Sequence, residues 1–169
     1  NINGTGYAET ITGDDNSNLL KGFGGADTLN GQGGDDFLLP GNNSEGGSDR
    51  SWLVTPSSGA TLTGSLNFIT KFYTSDSASE VINGGSGNDI LIGATGQDTL
   101  DGGIGRDHMA GGAGSDTFVI RSGDGSTNID EADIIYDFTD GTDFIGLASL
   151  SFDDLTISEG TGSYAGYTL

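Results

Sequence analysis

Residues 84–119 read GGSGNDILI GATGQDTLD GGIGRDHMA GGAGSDTFV, four consecutive copies of one nine-residue unit. Each copy has glycine at positions one and four, an aspartate at position six and an apolar residue at position eight. The aspartates are Asp89, Asp98, Asp107 and Asp116, and the apolar residues are Leu91, Leu100, Met109 and Phe118. A short repeat that keeps its phase in this way predicts a solenoid built from stacked coils.

Each unit predicts a six-residue loop followed by a three-residue strand. Glycine recurs where the backbone must turn tightly or adopt a positive φ, which a Cβ would penalise. Side chains alternate along a strand, so only the residue at position eight is expected to point inward. Such a thin core buries too little apolar surface to offset the ordering entropy of glycine-rich loops. The loops therefore need another source of stability.

The regular aspartates indicate what that source is. Two units make one full coil, so loops 18 residues apart are expected to stack, with Asp89 over Asp107 and Asp98 over Asp116. Carboxylate and carbonyl oxygens are the ligands of a hard cation that takes about 6–8 oxygens, which favours Ca²⁺ over a transition metal. The alternative is a set of turn-forming residues without a metal, but turn chemistry alone requires no fixed phase across four copies.

The unit G-G-x-G-x-D-x-U-x resembles the calcium-binding nonapeptide of RTX (hemolysin-type) proteins. The resemblance implies an all-β fold, a right-handed parallel β-roll with several Ca²⁺ ions in its loops. In that family an ion takes carbonyl oxygens from positions two and four of one loop and one and three of the stacked loop, plus both aspartates. Carried over to this chain, one site comprises Gly85, Gly87, Asp89, Gly102, Ile104 and Asp107, and the next comprises Ala94, Gly96, Asp98, Gly111, Ala113 and Asp116.

Residues 1–48 form a degenerate block of the same repeat, and residues 75–119 form the regular block. GFGGADTLN (22–30) and GQGGDDFLL (31–39) are good copies in the first block. Their expected metal ligands are Asp27, Asp36, Gly22, Gly24, Gly31 and Gly33. Further candidates, at degenerate or neighbouring loop positions, are Glu9, Asn18, Glu45, Glu80, Gly103 and Gly105. Asn brings no charge to such a site, and Glu is one methylene longer than Asp.

Residues 46–74 form an insertion in the repeat array. Its alternating apolar stretches predict one or two strands, as in a hairpin laid against the roll. It carries a possible ligand face for carbohydrate or protein, made of Arg50, Trp52, Lys71, Phe72 and Tyr73. The alternative is that its aromatic residues cover an apolar seam of the roll where the coil is interrupted.

Residues 120–169 predict a cap on the last coil, since a solenoid's end exposes its core. The motif D-x-I-x-D-F-x-x-G-x-D-x-I-x-L, starting at Asp133, resembles the segment that closes RTX rolls in serralysin-type proteases, lipases and alginate epimerase modules. We expect a small antiparallel cap of two or three strands, with turns at Asp140–Gly141 and near residues 151–154. Three aspartates of this segment are further calcium-ligand candidates: Asp133, Asp137 and Asp143. Together the segments predict one continuous domain, 1–169.

The composition excludes several functions. The chain has 32 glycines and 25 acidic against five basic residues, for a formal net charge of −20. Such a composition is typical of disordered chains, so we expect order to require a cation. The few basic residues provide no nucleic-acid surface. Cysteine is absent, which excludes disulfides, and no apolar run approaches the ~18 residues of a membrane span.

Catalytic motifs are also missing from the sequence. His108 is the only histidine, and it occupies position seven, which is expected to point outward. One histidine without cysteine does not build the usual zinc sites, and neither H-E-x-x-H nor G-x-S-x-G occurs. The sequence therefore predicts a protein that is not an enzyme.

Together with the RTX resemblance, which implies secretion, these patterns predict a calcium-binding module of a secreted or cell-surface bacterial protein. The chain opens at Asn1 without a methionine, so we expect it to be a piece of a larger secreted protein. The RTX resemblance implies type I secretion, with the chain unfolded at cytosolic calcium and folded by millimolar calcium outside the cell. Its partners would be Ca²⁺ and the rest of that protein. Two alternatives stay open: an adhesion or carbohydrate-binding module, and a subunit that self-assembles into a surface layer or filament.

Overall fold

The computed structural model describes residues 1–39, 77–124 and 131–154. The regular secondary structure of these residues is almost all β, because each loop of the repeat is followed by a short run of apolar and β-branched residues. The strands are β1 (Ile2–Asn3), β2 (Thr10–Thr12), β3 (Leu19–Lys21), β4 (Thr28–Gly33), β5 (Phe37–Leu39), β6 (Val81–Ser86), β7 (Ile90–Gly96), β8 (Thr99–Ile104), β9 (His108–Gly114), β10 (Thr117–Arg121), β11 (Ile134–Ile135) and β12 (Phe144–Ala148). A 3₁₀ turn covers Phe152–Asp154.

The strands form two six-stranded parallel sheets. The first sheet has the order β1-β3-β5-β7-β9-β11, and the second has the order β12-β10-β8-β6-β4-β2. Consecutive strands therefore alternate between the sheets, and each coil of the chain contributes one strand to each. Partners such as Ile82 and Leu100 are 18 residues apart, which is two nonapeptides. The predicted all-β parallel roll is confirmed.

The core lies between the sheets and is built from position eight of each repeat, as predicted. All nine members of this cluster are 7% exposed or less: Ile11, Leu20, Leu29, Leu38, Ile82, Leu91, Leu100, Met109 and Phe118. Burying one such side chain fully stabilises the fold by roughly 1.5–3 kcal/mol. Each coil adds two of them, so the core is long and only two side chains wide.

Apolar packing is not confined to that core, which the sequence analysis did not foresee. A second buried cluster, here called the outer stripe, consists of Leu19, Phe37, Leu39, Ile90 and Ile92. These residues occupy positions seven and nine of β3, β5 and β7 in the first sheet. Neighbouring side chains point to opposite faces of a strand, so the outer stripe faces away from the core.

The roll continues across the interruption of the repeat array. Thr28 of β4 pairs with Val81 of β6, and Phe37 of β5 pairs with Ile90 of β7. Both pairs are 53 residues apart, against 18 in the regular coils, so 35 additional residues lie between neighbouring coils (53 − 18 = 35). The predicted insertion, 46–74, lies outside the described residues, and so do its five ligand-face residues and Glu45.

The C-terminal segment differs from the expected antiparallel cap. Strand β11 pairs parallel with β9, and β12 pairs parallel with β10, so both strands extend the two sheets. The expectation of antiparallel strands is therefore wrong for the described part of this segment. The reason is that Asp133 and Asp143 each precede a strand as the position-six aspartates do, which places Ile135 and Ile145 in register with the core position.

The end of the roll still receives apolar cover. Ile135 packs against the core cluster, and the ring of Phe138 lies over that of Phe118 with centroids 6.2 Å apart. The predicted turn at Asp140–Gly141 is present, with Gly141 at φ 77° and Thr139 accepting hydrogen bonds from two backbone N–H groups. Residues 155–169 lie outside the described residues.

Candidate metal sites

The residues at repeat position six form two rows, because each of them directly precedes a strand of one sheet. In-register strand pairing then stacks them one coil above another. The row along the first sheet contains Asn18, Asp36, Asp89, Asp107 and Asp133; the row along the second contains Glu9, Asp27, Glu80, Asp98, Asp116 and Asp143. The structure thus stacks Asp89 with Asp107 and Asp98 with Asp116, as the spacing predicts.

One oxygen of each carboxylate links neighbouring coils. The backbone N–H of Asp89 donates to Asp107 Oδ1 at 2.8 Å, and that of Asp98 donates to Asp116 Oδ1 at 3.0 Å. Across the interruption, the N–H of Asp36 donates to Asp89 Oδ1 at 2.7 Å. This repeated hydrogen bond fixes the orientation of each carboxylate, and therefore the direction of its second oxygen.

The second oxygen of these carboxylates is buried without a hydrogen-bond partner. This holds for Oδ2 of Asp36, Asp89, Asp107 and Asp116. A buried, unsatisfied carboxylate oxygen is costly, and several in one row repel each other as well. Such groups need either a proton or a cation beside them.

The glycine at position one leaves room for a cation beside these oxygens. A Cβ on Gly84 would lie within 3.0 Å of both Asp89 Oδ2 and the carbonyl oxygen of Gly102 in the next coil. The same pair of oxygens, from Asp98 and Gly111, faces the open side of Gly93. Two oxygens from stacked loops therefore converge on a space that any side chain would fill. All donors are oxygen, which suits Ca²⁺.

The same arrangement joins the two repeat blocks. At Gly31 the converging oxygens are Asp36 Oδ2 and the Gly84 carbonyl, so one donor comes from each side of the interruption. Sequence reasoning placed Gly31 and Asp36 in a site but missed Gly84 and Gly93. The sequence does carry a sign of their role, because position one is glycine in each regular copy. The backbone does not require glycine there, since Gly84 and Gly93 have no positive φ.

Positions two and four bring further carbonyl oxygens between the stacked loops. A Cβ on Gly103 would meet the carbonyl of Gly85, and one on Gly105 would meet the carbonyl of Gly87. Both glycines have positive φ, 94° and 147°. Ala94 holds the equivalent left-handed conformation at φ 96° in spite of its Cβ. The carbonyl oxygens of Gly85 and Gly87, two of the predicted ligands, thus lie against the next coil.

Burial gives the carboxylates strongly raised pKa values. The pKa of Asp89 is raised to about 8, chiefly by burial; the hydrogen bond from the Asp36 N–H lowers it, and the nearby carboxylates of Asp107 and Asp36 add to the rise. Burial likewise raises the pKa of Asp107 to about 7 and that of Asp36 to about 6. Charged carboxylates are therefore unfavourable in this roll unless a cation compensates them.

The sequences of both blocks match a known family. The family model of the RTX calcium-binding nonapeptide repeat (4 copies) matches residues 3–38 and 78–118. These segments are RTX calcium-binding repeats. No curated protein and no solved structure matches the chain. RTX repeats bind calcium and form a structural module, not a catalytic one.

The RTX loops build their sites from backbone as well as side chains. Within 1–39, 77–124 and 131–154, no group of three or more His, Cys, Asp or Glu side chains could hold a metal ion. What the loops bring together at Gly31, Gly84 and Gly93 is a carboxylate oxygen and a carbonyl oxygen. Sequence spacing finds such a site because it is a property of the backbone repeat.

In the degenerate RTX loops at the N-terminal end, the position-six side chains accept hydrogen bonds from N–H groups of their own loops. Asn18 Oδ1 accepts a hydrogen bond from the Asp14 N–H at 2.7 Å, and Glu9 Oε2 accepts one from the Thr5 N–H at 3.1 Å. Glu80 is 2% exposed and belongs to the second row, where its N–H donates to Asp98 Oδ1 at 2.9 Å. Of these three, Glu80 is the residue in the buried setting of the regular aspartates.

The three aspartates of the C-terminal segment have different roles. Asp133 and Asp143 end the two RTX rows, since their Oδ1 atoms accept the N–H groups of Asp107 and Asp116 at 2.9 and 3.0 Å. Asp143 Oδ2 accepts a further hydrogen bond from Thr139. Asp137 instead accepts hydrogen bonds from the N–H groups of Gly111 and Gly112, at 3.0 and 2.8 Å, in the part of β9 that β11 does not pair with.

His108 lies on the outer face of its strand, as predicted, but it is buried there. Its ring stacks on that of Tyr136 with centroids 5.7 Å apart, and its Nδ1 lies 2.5 Å from the Tyr136 hydroxyl. Burial, followed by the charge of Arg106, lowers the pKa of His108. In β9 it is therefore a neutral packing residue that continues the outer stripe by one coil.

Proposed function

We propose that the chain is a calcium-binding RTX module of a secreted or cell-surface bacterial protein, which folds on binding Ca²⁺ outside the cell and acts structurally. The observation that carries this proposal is the buried Oδ2 of four aspartates, which has no hydrogen-bond partner. At Asp36 and Asp89 a carbonyl oxygen of the next coil converges on the same space. RTX repeat proteins are typically secreted, and the described residues contain no helix long and apolar enough to cross a membrane.

The physical basis is a competition between core and charge. The core adds two apolar side chains per coil, whereas each coil also stacks two buried carboxylates, in a chain of net charge −20. At neutral pH and low calcium this repulsion disfavours the folded roll. A divalent cation beside each carboxylate removes the repulsion, and its binding free energy becomes folding free energy.

The proposed ligands follow the rows. Asp89 with Asp107, and Asp98 with Asp116, hold ions between regular coils, and Asp36 with Asp89 hold one across the interruption. Backbone carbonyl oxygens of the intervening loop positions complete each shell. Extracellular calcium modules bind at ~10⁻⁴–10⁻³ M, so the same chain would be unfolded in the cytosol and folded outside. Such a difference suits a chain that leaves the cell unfolded.

Calcium titration followed by far-UV circular dichroism tests the proposal. The variants Asp98→Asn and Asp107→Asn keep an acceptor for the interloop hydrogen bond but remove the charge from the row. We expect cooperative gain of β-signal with calcium, and a calcium midpoint at least about tenfold higher in either variant, equivalent to about 1.4 kcal/mol. The matched control is Asp153→Asn, because that carboxylate is exposed in the 3₁₀ turn.

Two results would contradict the proposal. One is a β-rich spectrum in EDTA that does not change on addition of calcium, which would mean that the repeats fold without an ion. The other is an equal calcium midpoint in Asp107→Asn and Asp153→Asn, which would mean that the carboxylate rows are not the binding site.

A further inference from the structure

The first two loops of the roll keep the space that the regular loops have beside position one. These loops, here called the entry loops, span residues 4–9 and 13–18. A Cβ on Gly13 would lie within 3.0 Å of Asn18 Oδ1 and of the Gly31 carbonyl oxygen in the next coil. A side-chain oxygen and a carbonyl oxygen of the next coil lie equally close to the open side of Gly4. The space at position one therefore does not distinguish the entry loops from the regular ones.

The entry loops differ in the group that meets the position-six oxygen. The Asp14 N–H donates to Asn18 Oδ1 at 2.7 Å, and the Thr5 N–H donates to Glu9 Oε2 at 3.1 Å. Both donors come from position two of their own loop. In the regular loops, Oδ2 of Asp89 is buried without a hydrogen-bond partner. A backbone N–H, which carries a partial positive charge, thus meets the oxygen that in the regular loops lacks a partner.

The backbone of the entry loops differs as well. In the six loops that end in Asp27, Asp36, Asp89, Asp98, Asp107 and Asp116, φ lies between 81° and 108° at position two and between 90° and 155° at position four. The entry loops have no positive φ at these positions, which are occupied by Thr5, Tyr7, Asp14 and Asn16. The sign of φ sets how the peptide groups on either side of a residue face relative to each other. The entry loops therefore have another conformation, in which the N–H of position two closes the loop.

We propose that the entry loops hold no calcium and form an ion-independent end of the roll. Asn18 brings no charge, and both Asn18 and Glu9 are half-buried, whereas Asp36 and Asp89 are 1% and 0% exposed. Groups that reach water and accept hydrogen bonds from their own loop need no cation to compensate them. The calcium rows then begin at the coil of Asp27 and Asp36, and the first coil caps them, as terminal repeats of solenoids do. The inference rests on the proposed function, because it places the end of the proposed calcium rows.

The number of calcium ions bound per chain tests the inference. It is measured by equilibrium dialysis and atomic emission, at a free calcium concentration that just saturates the wild type. Glu9→Gln and Asp36→Asn each remove one charge at position six and keep an acceptor oxygen for the hydrogen bonds there. We expect the number of bound ions to be unchanged in Glu9→Gln and lower by at least one in Asp36→Asn.

The converse experiment rebuilds a regular loop in residues 13–18. Asp14→Gly, Asn16→Gly and Asn18→Asp together supply glycine at positions two and four and aspartate at position six. The net charge stays at −20, since one carboxylate is removed and one is added. This triple variant is expected to bind one ion more than the wild type. The matched control, Asn18→Asp alone, supplies the carboxylate without the loop conformation and is expected to add none.

Loss of an ion in Glu9→Gln would overturn the inference, and so would a triple variant that gains no ion although its far-UV circular dichroism matches the wild type. An ion gained by Asn18→Asp alone would also overturn it, because charge and not loop conformation would then decide. If the triple variant does not fold, the comparison of Glu9→Gln with Asp36→Asn decides. A wild type that binds no calcium would contradict the proposed function itself, and this inference with it.

Discussion

Replacing Gly84 by alanine is the most direct perturbation of the proposed calcium geometry. The new Cβ would lie within 3.0 Å of Asp89 Oδ2, Asp89 Cγ and the Gly102 carbonyl oxygen. Gly84 has no positive φ, so backbone strain does not contribute. Neither neighbour can yield easily, because Asp89 Oδ1 accepts the hydrogen bond from Asp36 and the Gly102 carbonyl belongs to β8. Crowding of this kind costs about 1–3 kcal/mol.

The loss is expected to be larger at saturating calcium than near the calcium midpoint of the wild type. At low occupancy the variant is destabilised mainly by crowding, whereas at saturation it also loses the space in which two oxygens converge. Urea unfolding at these two calcium concentrations measures both free energies, and calcium titration gives the midpoint. The control is Gly6→Ala, since a Cβ there meets nothing within 4 Å and the residue has no positive φ. Its effect is expected within about 0.5 kcal/mol.

Two outcomes would refute the reasoning. If Gly84→Ala keeps the wild-type calcium midpoint, the space beside Gly84 does not hold the ion. If the loss of stability is the same at both calcium concentrations, the substitution acts through packing alone, and the site must be sought at another loop position.

Three further predictions concern pH, loop conformation and the interruption. Without calcium, burial raises the pKa of Asp89 to about 8 and that of Asp107 to about 7, so the folded chain holds these two protons more tightly than the unfolded chain does. The resulting stabilisation of the folded state is fully present below about pH 4 and is lost as the pH rises through 7 and 8. With calcium the dependence is reversed, because protons compete with the ion. Far-UV circular dichroism in EDTA and urea midpoints in calcium, each at pH 4, 6 and 8.5, check both signs; a β-signal in EDTA that does not fall as the pH rises, or a midpoint in calcium that does not rise with it, would contradict them. Ala94→Gly removes the Cβ from a residue in the left-handed conformation (φ 96°), and the unfolding free energy in urea is expected to change by less than about 1 kcal/mol. Gly103→Ala adds a Cβ to such a residue and brings it against the Gly85 carbonyl, so we expect a loss of more than about 2 kcal/mol in the same urea assay. After proteolytic cleavage within 46–74, the two fragments are expected to co-elute from a size-exclusion column in calcium, because β4 pairs with β6 and β5 with β7, and to separate on chelation. Fragments that separate in calcium would contradict the pairing.

The sequence by itself determined the features that repeat every nine residues. The positions of Asp89 and Leu91 within their nonapeptide determine that the aspartate precedes the strand and that the leucine side chain enters the core. This follows from the sequence alone because side chains point alternately to the two faces of any strand, whatever lies beside it. The parallel roll and its core follow from that local rule. The rows of carboxylates follow too, since equal repeats stack in register. Which of these residues bind calcium stays a prediction.

The tertiary structure decided whatever depends on residues distant in the sequence. The pairing of Thr28 with Val81 across 53 residues and the parallel placement of β11 and β12 are not periodic, so no repeat could reveal them. The outer stripe is the clearest case. Phe37 and Ile90 occupy positions that are exposed or half-buried on the other sheet, and only the folded chain shows them buried. Position in a repeat fixes the direction of a side chain, but its burial depends on what the rest of the chain places over it.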